Sequence, residues 1–354
     1  MRARLLLAGD LHKRPKDIST ISGYCNAVAR VQTDIINAIT KYNITHFVSL
    51  GDWYDKGYVA DVASALVDVD KDIHMADILN GNFYGCIGNH IKLNLDSNPE
   101  LHLIQPHETM KSRKMYREEQ IIRTPRHFML TEDVQVSLMH FNTGFDVKDY
   151  KPRRLDGVKY HIAVFHTPLI IPREQLGVGA SFMSGATSSR AIEETTRGVD
   201  LAIVGDIHTP IPTFTINHSD GTKTTMIVPG SLCNNNSSKI HHMINAPMVT
   251  VDDEGVKLEF LPISMHTELT TINKKKELED KEKLQSFRGK ASSVLQSGKN
   301  KDLYIPSDSL SSYGDFLRGQ ARGSSLDVKL INTVVANPDN INNIIKIYLE
   351  NEGE

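Results

Sequence analysis

The chain has 354 residues and a mass of 39.6 kDa, enough for one large domain or two ordinary ones. Apolar residues make up 40% and charged residues 23%, so the chain can bury a sizeable core and need not be disordered. Lys plus Arg number 40 against 43 Asp plus Glu, a net charge of −3, so a globally basic nucleic-acid binder is excluded while a local basic face is not.

Cys25, Cys86 and Cys233 are too few and too scattered for a disulfide framework or a Cys-based zinc site. They read as reduced thiols, which points to a cytoplasmic protein. No apolar run is long enough to span a bilayer, so no membrane partner is expected. The N-terminal run Leu5-Leu6-Leu7-Ala8 stops at Gly9-Asp10, unlike a signal peptide. The unusual number is 15 histidines, several of them beside strand-like runs.

In chain order, the first such run is Leu5–Ala8, leading into Gly9-Asp10-Leu11-His12. An amphipathic helix follows, with Val28, Val31, Ile35, Ile36 and Ile39 on one face. Phe47–Leu50 is a second strand running into Gly51-Asp52, and the pattern then predicts a helix over roughly residues 60–79. Phe83–Ile87 leads into Gly88-Asn89-His90, Ile162–Phe165 into His166, and Leu201–Val204 into Gly205-Asp206-Ile207-His208. Such short apolar runs suit strands buried on both faces, and their alternation with helices argues for a layered α/β core. Between them, Gly177–Ser189 is rich in Gly, Ser and Ala and reads as a loop. Met248–Val251 and Val256–Leu261 flank Asp252-Asp253-Glu254-Gly255, a hairpin signal.

The composition then shifts. Lys274–Lys283 is a mixed charge run and Gln285–Tyr304 is polar, a composition suited to a tether. The last segment looks helical: Asn337 is a natural N-cap with Pro338 at the first helical position. Ile341, Ile344, Ile345, Tyr348 and Leu349 share one face. The expected organisation is residues 1–265 as the main domain, 266–312 as linker and 313–354 as a helical module. No internal repeat is found.

Each strand-terminal motif places Asp, Asn or His just after a buried strand, where neighbouring strand ends converge. Such oxygen and nitrogen donors suit divalent metals of the Mn, Fe or Zn kind. With candidates from five segments, two cations sharing a carboxylate are the economical reading, able to hold a phosphate for attack by water. Taken singly, each motif is an ordinary turn or a hydrogen-bonded histidine; the set and its order carry the argument.

Asp10-Leu11-His12, Gly51-Asp52-Trp53-Tyr54-Asp55, Gly88-Asn89-His90, His166 and Gly205-Asp206-Ile207-His208 together resemble the signature of the calcineurin-like metallophosphoesterases. The resemblance spans roughly residues 1–265. Within that family the chain looks most like the SbcD-type nuclease subunits, including those of large bacteriophages. Two features support this: Gly205–Pro210 is followed by Ile227-Val228-Pro229-Gly230-Ser231, and a hairpin precedes a separate C-terminal module. The resemblance implies a layered metallophosphoesterase β-sandwich flanked by helices, with a small capping region and a helical C-terminal module. It implies two divalent ions, Mn2+ first and Mg2+ as the other choice. Asp10, His12, Asp52 and His208 would hold one ion, Asn89, His166 and Asp206 the other, with Asp52 bridging. His90 would protonate the leaving oxygen. Two positions depart from the usual signature: Asp206 stands where a histidine is usual, and Ile91 where an acidic residue is usual.

The implied activity is DNA phosphodiester hydrolysis alongside an SbcC-like coiled-coil ATPase docked by the C-terminal helices, in the cytoplasm, or the host's if the chain is phage-encoded. The rival readings are a phosphatase or phosphodiesterase acting on a small molecule or nucleotide, and a non-catalytic scaffold. A homodimer is the other assembly left open. Arg113, Lys114, Arg117, Arg123 and Arg126 could track a DNA backbone or form a solvated face, since Glu118 and Glu119 interrupt them. If His90 is the general acid, His90→Ala slows cleavage by about 10²–10⁴-fold and leaves metal and DNA affinity nearly unchanged. Cleavage kinetics beside Mn2+ titration check this, and a wild-type rate removes His90 from the role.

Overall fold

A computed structural model describes residues 3–14, 17–55, 62–88, 126–141, 151–167, 171–172, 189–233, 242–276, 278–279 and 282. Asn89, His90, Ile91, Arg113, Lys114, Arg117, Arg123, nearly all of the Gly177–Ser189 stretch and the C-terminal module therefore lie outside the described residues. The chain divides into two compact units, residues 1–95 with 100–271 and residues 96–99 with 272–354. Every strand-terminal motif from Asp10 to His208 belongs to the first unit.

Two sheets carry the fold of that unit. In the first, β1 (Ala3–Ala8), β3 (His46–Ser49) and β4 (Phe83–Gly85) run parallel. Its other edge is a long antiparallel hairpin, β11 (Met243–Asp252) and β12 (Gly255–Ser264), giving the order β12-β11-β1-β3-β4. In the second, β6 (Val134–Met139), β7 (Tyr160–Phe165), β8 (Leu201–Val204) and β10 (Lys223–Val228) are parallel. They are flanked by antiparallel β5 (His127–Thr131) and β9 (Ile211–Asn217), in the order β5-β6-β7-β8-β10-β9. A short strand, β2 (Ile21–Ser22), lies before α1 (Tyr24–Lys41); α2 (Val62–Ile78) precedes β4, and α3 (Ser189–Thr196) precedes β8.

The alternation of side chains along a strand sorts the core into three layers. Leu5 and Leu7 of β1 and Val48 of β3 meet Val134, Val136, Ile162, Val164, Leu201 and Ile203 between the sheets. Leu6 and Ala8, one residue out of phase, point to the other side with Phe47 and Phe83. There they pack on Val28, Val31, Ile35 and Ile39 of α1 and on Met75 and Ala76 of α2. On the far side of the second sheet, Ala163, Phe165, Ala202, Val204, Met226 and Val228 form the third layer. The architecture is a layered α/β sandwich flanked by helices. Among the described residues no helix is long and apolar enough to cross a membrane.

The helix face read from the sequence is the face that packs. α1 lacks a side-chain cap of its own at Gly23; Asp17 supplies one, accepting from Gly23 N at 2.7 Å and Cys25 N at 2.8 Å. Those backbone donors hold the Asp17 carboxyl below its ordinary range.

Candidate metal centre

The site grows out of the ends of β1 and β3. Past the strands their parallel pairing continues as a ladder. Asp10 N donates to Gly51 O at 3.0 Å, His12 N to Asp52 O at 2.9 Å, Lys13 N to Trp53 O at 3.0 Å, and Asp55 N returns to Lys13 O at 2.9 Å. Four consecutive carbonyls of the first loop are met from residues 231–233 and from α1. Leu232 N donates to Gly9 O at 3.0 Å and Ser231 Oγ to Asp10 O at 2.7 Å. The Cys233 thiol lies 3.0 Å from Leu11 O, and the Tyr24 hydroxyl donates to His12 O at 3.2 Å. Burial pushes the Cys233 thiol up to about 12, so it stays protonated and able to donate.

These loops bring together most of the described candidates. Ligand atoms of Asp10, His12 and His208 lie within 4.8 Å of one another, as do those of Asp10, Asp52 and His166. The resemblance implies Asp52 as the bridge; the residue common to both groups here is Asp10. His12 Nε2 and His208 Nε2 face each other at 3.1 Å. His166 has Nδ1 at 2.9 Å from Leu50 O, which fixes its tautomer and aims Nε2 at the carboxylates. That Nε2 is 3.4 Å from Asp52 Oδ2 and 3.9 Å from Asp206 Oδ1, so Asp206, standing where a histidine is usual, still edges the cluster. Arg126 is exposed just before β5.

The electrostatics are those of crowded negative charge. Burial, and then the neighbouring carboxylates of Asp52 and Asp206, push Asp10 up to about 6 against the pull of His166 and His208. Burial alone would depress His166; the carboxylates of Asp52, Asp10 and Asp206 outweigh it and hold the ring up at about 10. Asp10 Oδ2 is buried and accepts no hydrogen bond from a described residue. A buried carboxylate oxygen left without a donor is costly, and cations among these oxygen and nitrogen donors would relieve that cost. The residues fit divalent metal. Bound there, two such ions would neutralise a phosphate and activate water.

The glycines of the motifs have a steric reason. A Cβ on Gly88 would meet Asp52 Oδ1 at 1.9 Å, one on Gly51 would meet His166 Nδ1 at 2.0 Å, and one on Gly9 would meet Leu50 Cβ at 2.5 Å. Asp10, His12, Asp52 and Asp206 all have left-handed φ, at 54°, 49°, 41° and 71°. Outside turns this conformation is uncommon for non-glycine residues, and it collects at functional sites.

Asp55 is the last residue of the Gly51–Asp55 motif, and the sequence alone assigns it no role. Its Oδ1 is 3.5 Å from His12 Nδ1 and its Oδ2 pairs with Arg14, so it orients the His12 ring. In the sequence Ser231 is only part of a motif, Cys233 reads only as a reduced thiol, and nothing marks Tyr24.

The family model for calcineurin-like phosphoesterases matches residues 3–210. The chain belongs to this family. That makes it a metallophosphoesterase, of a family that uses two divalent metals for phosphoester hydrolysis. No curated protein matches the chain. Among solved structures, a Staphylococcus aureus protein described as a 5′-nucleotidase is 13% identical with a TM-score of 0.43, over 75% of this chain and 54% of that one. The phosphoesterase thus spans about half the length of that protein. A dimetal phosphatase from Danio rerio is 12% identical with a TM-score of 0.41, over 74% of this chain and 99% of the other. A Streptococcus pneumoniae protein described as an uncharacterized phosphoesterase is 11% identical with a TM-score of 0.32, over 77% and 97%.

Cation binding needs the Asp10 carboxylate charged. Because its folded value is raised from 3.8 to about 6, the metal-free fold gains from a protonated Asp10 at low pH and loses that gain as pH rises through about 6. Mn2+ should therefore raise the melting temperature more at pH 7.5 than at pH 5. Gly88→Ala, which displaces Asp52, should abolish the rise at both. Thermal unfolding with and without Mn2+ measures this.

Proposed function

We propose that this phosphoesterase is the nuclease subunit of an SbcCD-like complex, hydrolysing DNA phosphodiesters with two divalent ions, preferably Mn2+. In this reading Asp10, His12, Asp52 and His208 take one ion and Asn89, His166 and Asp206 the other, with Asp52 between them. His90 protonates the leaving oxygen. Arg113, Lys114, Arg117, Arg123 and Arg126 track the DNA backbone. Residues 266–312 tether a module, 313–354, that docks on an SbcC-like ATPase by an apolar helix face.

The observation that carries this reading is the contact between the two motifs that set the SbcD-type resemblance apart. Ser231 N donates to His208 O at 3.1 Å while Ser231 Oγ holds Asp10 O. Gly230, at φ 86°, lies so close to this segment that a Cβ would meet Pro210 Cδ at 2.8 Å and His208 O at 3.0 Å. Pro229-Gly230-Ser231 is thereby built into the floor of the candidate metal centre, in keeping with the SbcD-type resemblance from which the nuclease-subunit reading is drawn.

The test is digestion of end-labelled DNA with Mn2+ or Mg2+, with and without the candidate ATPase. Cleavage that requires metal and weakens steeply with salt is expected. Release of inorganic phosphate from nucleotides without DNA cleavage makes the protein a small-molecule phosphatase instead. Deleting residues from Asn337 onward should abolish co-purification with the ATPase while sparing Mn2+ binding, since every proposed ligand precedes residue 210.

A further inference from the structure

We propose that Asp72, on α2, is a positioning residue that locks the two ligand-bearing loops of the metal centre in register. The proposal rests on the reading of Asp10, His12, Asp52 and His166 as metal ligands. Asp72 belongs to neither ligand group and is only 4% exposed. Its carboxylate is nonetheless surrounded by donors. Oδ1 accepts from Gln32 Nε2 at 2.5 Å, Trp53 Nε1 at 3.0 Å and Lys13 Nζ at 3.3 Å. Oδ2 accepts from the Tyr54 hydroxyl and from Lys13 Nζ at 3.3 Å.

The identity of these donors gives the arrangement its meaning. Lys13 is the residue after His12, and Trp53 and Tyr54 are the two after Asp52. Lys13 and Tyr54 also form an isolated parallel bridge. One carboxylate thus holds both loops immediately downstream of their ligands and fastens them to α2 and, through Gln32, to α1. Trp53 is held on its other side by edge-to-face contacts with Phe47 and Phe83, at 5.5 and 5.6 Å between centroids, so its indole is a rigid lever on the Asp52 backbone.

Stability alone does not call for this design. A buried ion pair is often matched or bettered by well-packed apolar residues, while a buried charge that loses a partner is costly. What a fully satisfied buried network adds is a single geometry, and ligand loops need one because displacements of about 1 Å at a reacting centre cost about 100-fold.

The experiment titrates Mn2+ calorimetrically into the full chain and its Asp72→Asn and Tyr54→Phe variants. Hydrolysis of bis(p-nitrophenyl) phosphate is followed at low and saturating Mn2+, with circular dichroism reporting the fold. Asp72→Asn should stay folded and bind Mn2+ about 10–100-fold more weakly, with hydrolysis falling at low Mn2+ and recovering at saturation. Tyr54→Phe, which loses one donor, should move the same way by less. Wild-type Mn2+ affinity in Asp72→Asn, whatever happens to its melting temperature, overturns the proposal. If Asp72→Asn does not fold, wild-type affinity in Tyr54→Phe overturns it equally. A wild-type chain that binds no Mn2+ overturns the metal-centre reading itself, an outcome the wild-type titration separates from the others.

Discussion

The repulsion among Asp10, Asp52 and Asp206, gathered around one buried imidazole, is the constraint on which the structure turns. Two of these carboxylates are almost wholly buried, and charge in such surroundings is tolerated only when compensated. His166 offsets part of it, held up at about 10 by those same groups, and Asp10 is driven toward its neutral form. The backbone bends to this arrangement: ligand residues take left-handed φ, and the glycines beside them give up a side chain so that two loops and a ring can share the space.

Holding such a cluster together without metal falls to its surroundings. The β1–β3 ladder fixes the relative height of the two loops. Ser231, Cys233 and Tyr24 hold the first loop from beneath by its carbonyls. Asp72 gathers side chains from both. Behind these polar contacts stand two apolar layers, one between the sheets and one under α1 and α2. Together they keep the ends of β1, β3, β7 and β8 aimed at one place. The parallel sheets are the reason a ligand set scattered from residue 10 to residue 208 can converge at all.

Much of this was legible in the amino-acid order, for physical reasons. A strand buried on both faces needs a continuous apolar run, so β1, β3, β7 and β8 stood out, and so did the residues at their ends. The packed face of α1 followed from helical spacing. The hairpin was read too short: the expected strands began at Met248 and ended at Leu261, whereas β11 and β12 extend through Pro247 and Pro262. Proline reads as a breaker. Here Pro247 lies just beyond the last β1 pairing at Met248, and Pro262 is on an edge strand, where a missing donor is tolerated. β6 was hidden by Gln135 and Ser137, buried polar residues whose partners, Arg153 O and His161, are remote in sequence. β9, at a sheet edge, carries Pro212 and no continuous apolar run, since Phe214 and Ile216 alternate with Thr213, Thr215 and Asn217. Asp72 was invisible for a similar reason: one acid on a helix looks solvated until the donors around it are seen. Asp55 differs, because its motif did announce it and only the three-dimensional contact with His12 assigns its work.

The central claim is that the carboxylate cluster exists to hold two cations. Anomalous scattering from crystals soaked in Mn2+ tests it most directly. The account predicts two peaks about 3.5–4 Å apart, one beside Asp10, His12 and His208 and the other beside His166, with Asp52 between them. A single peak, or none near Asp52 at saturating Mn2+, would contradict it.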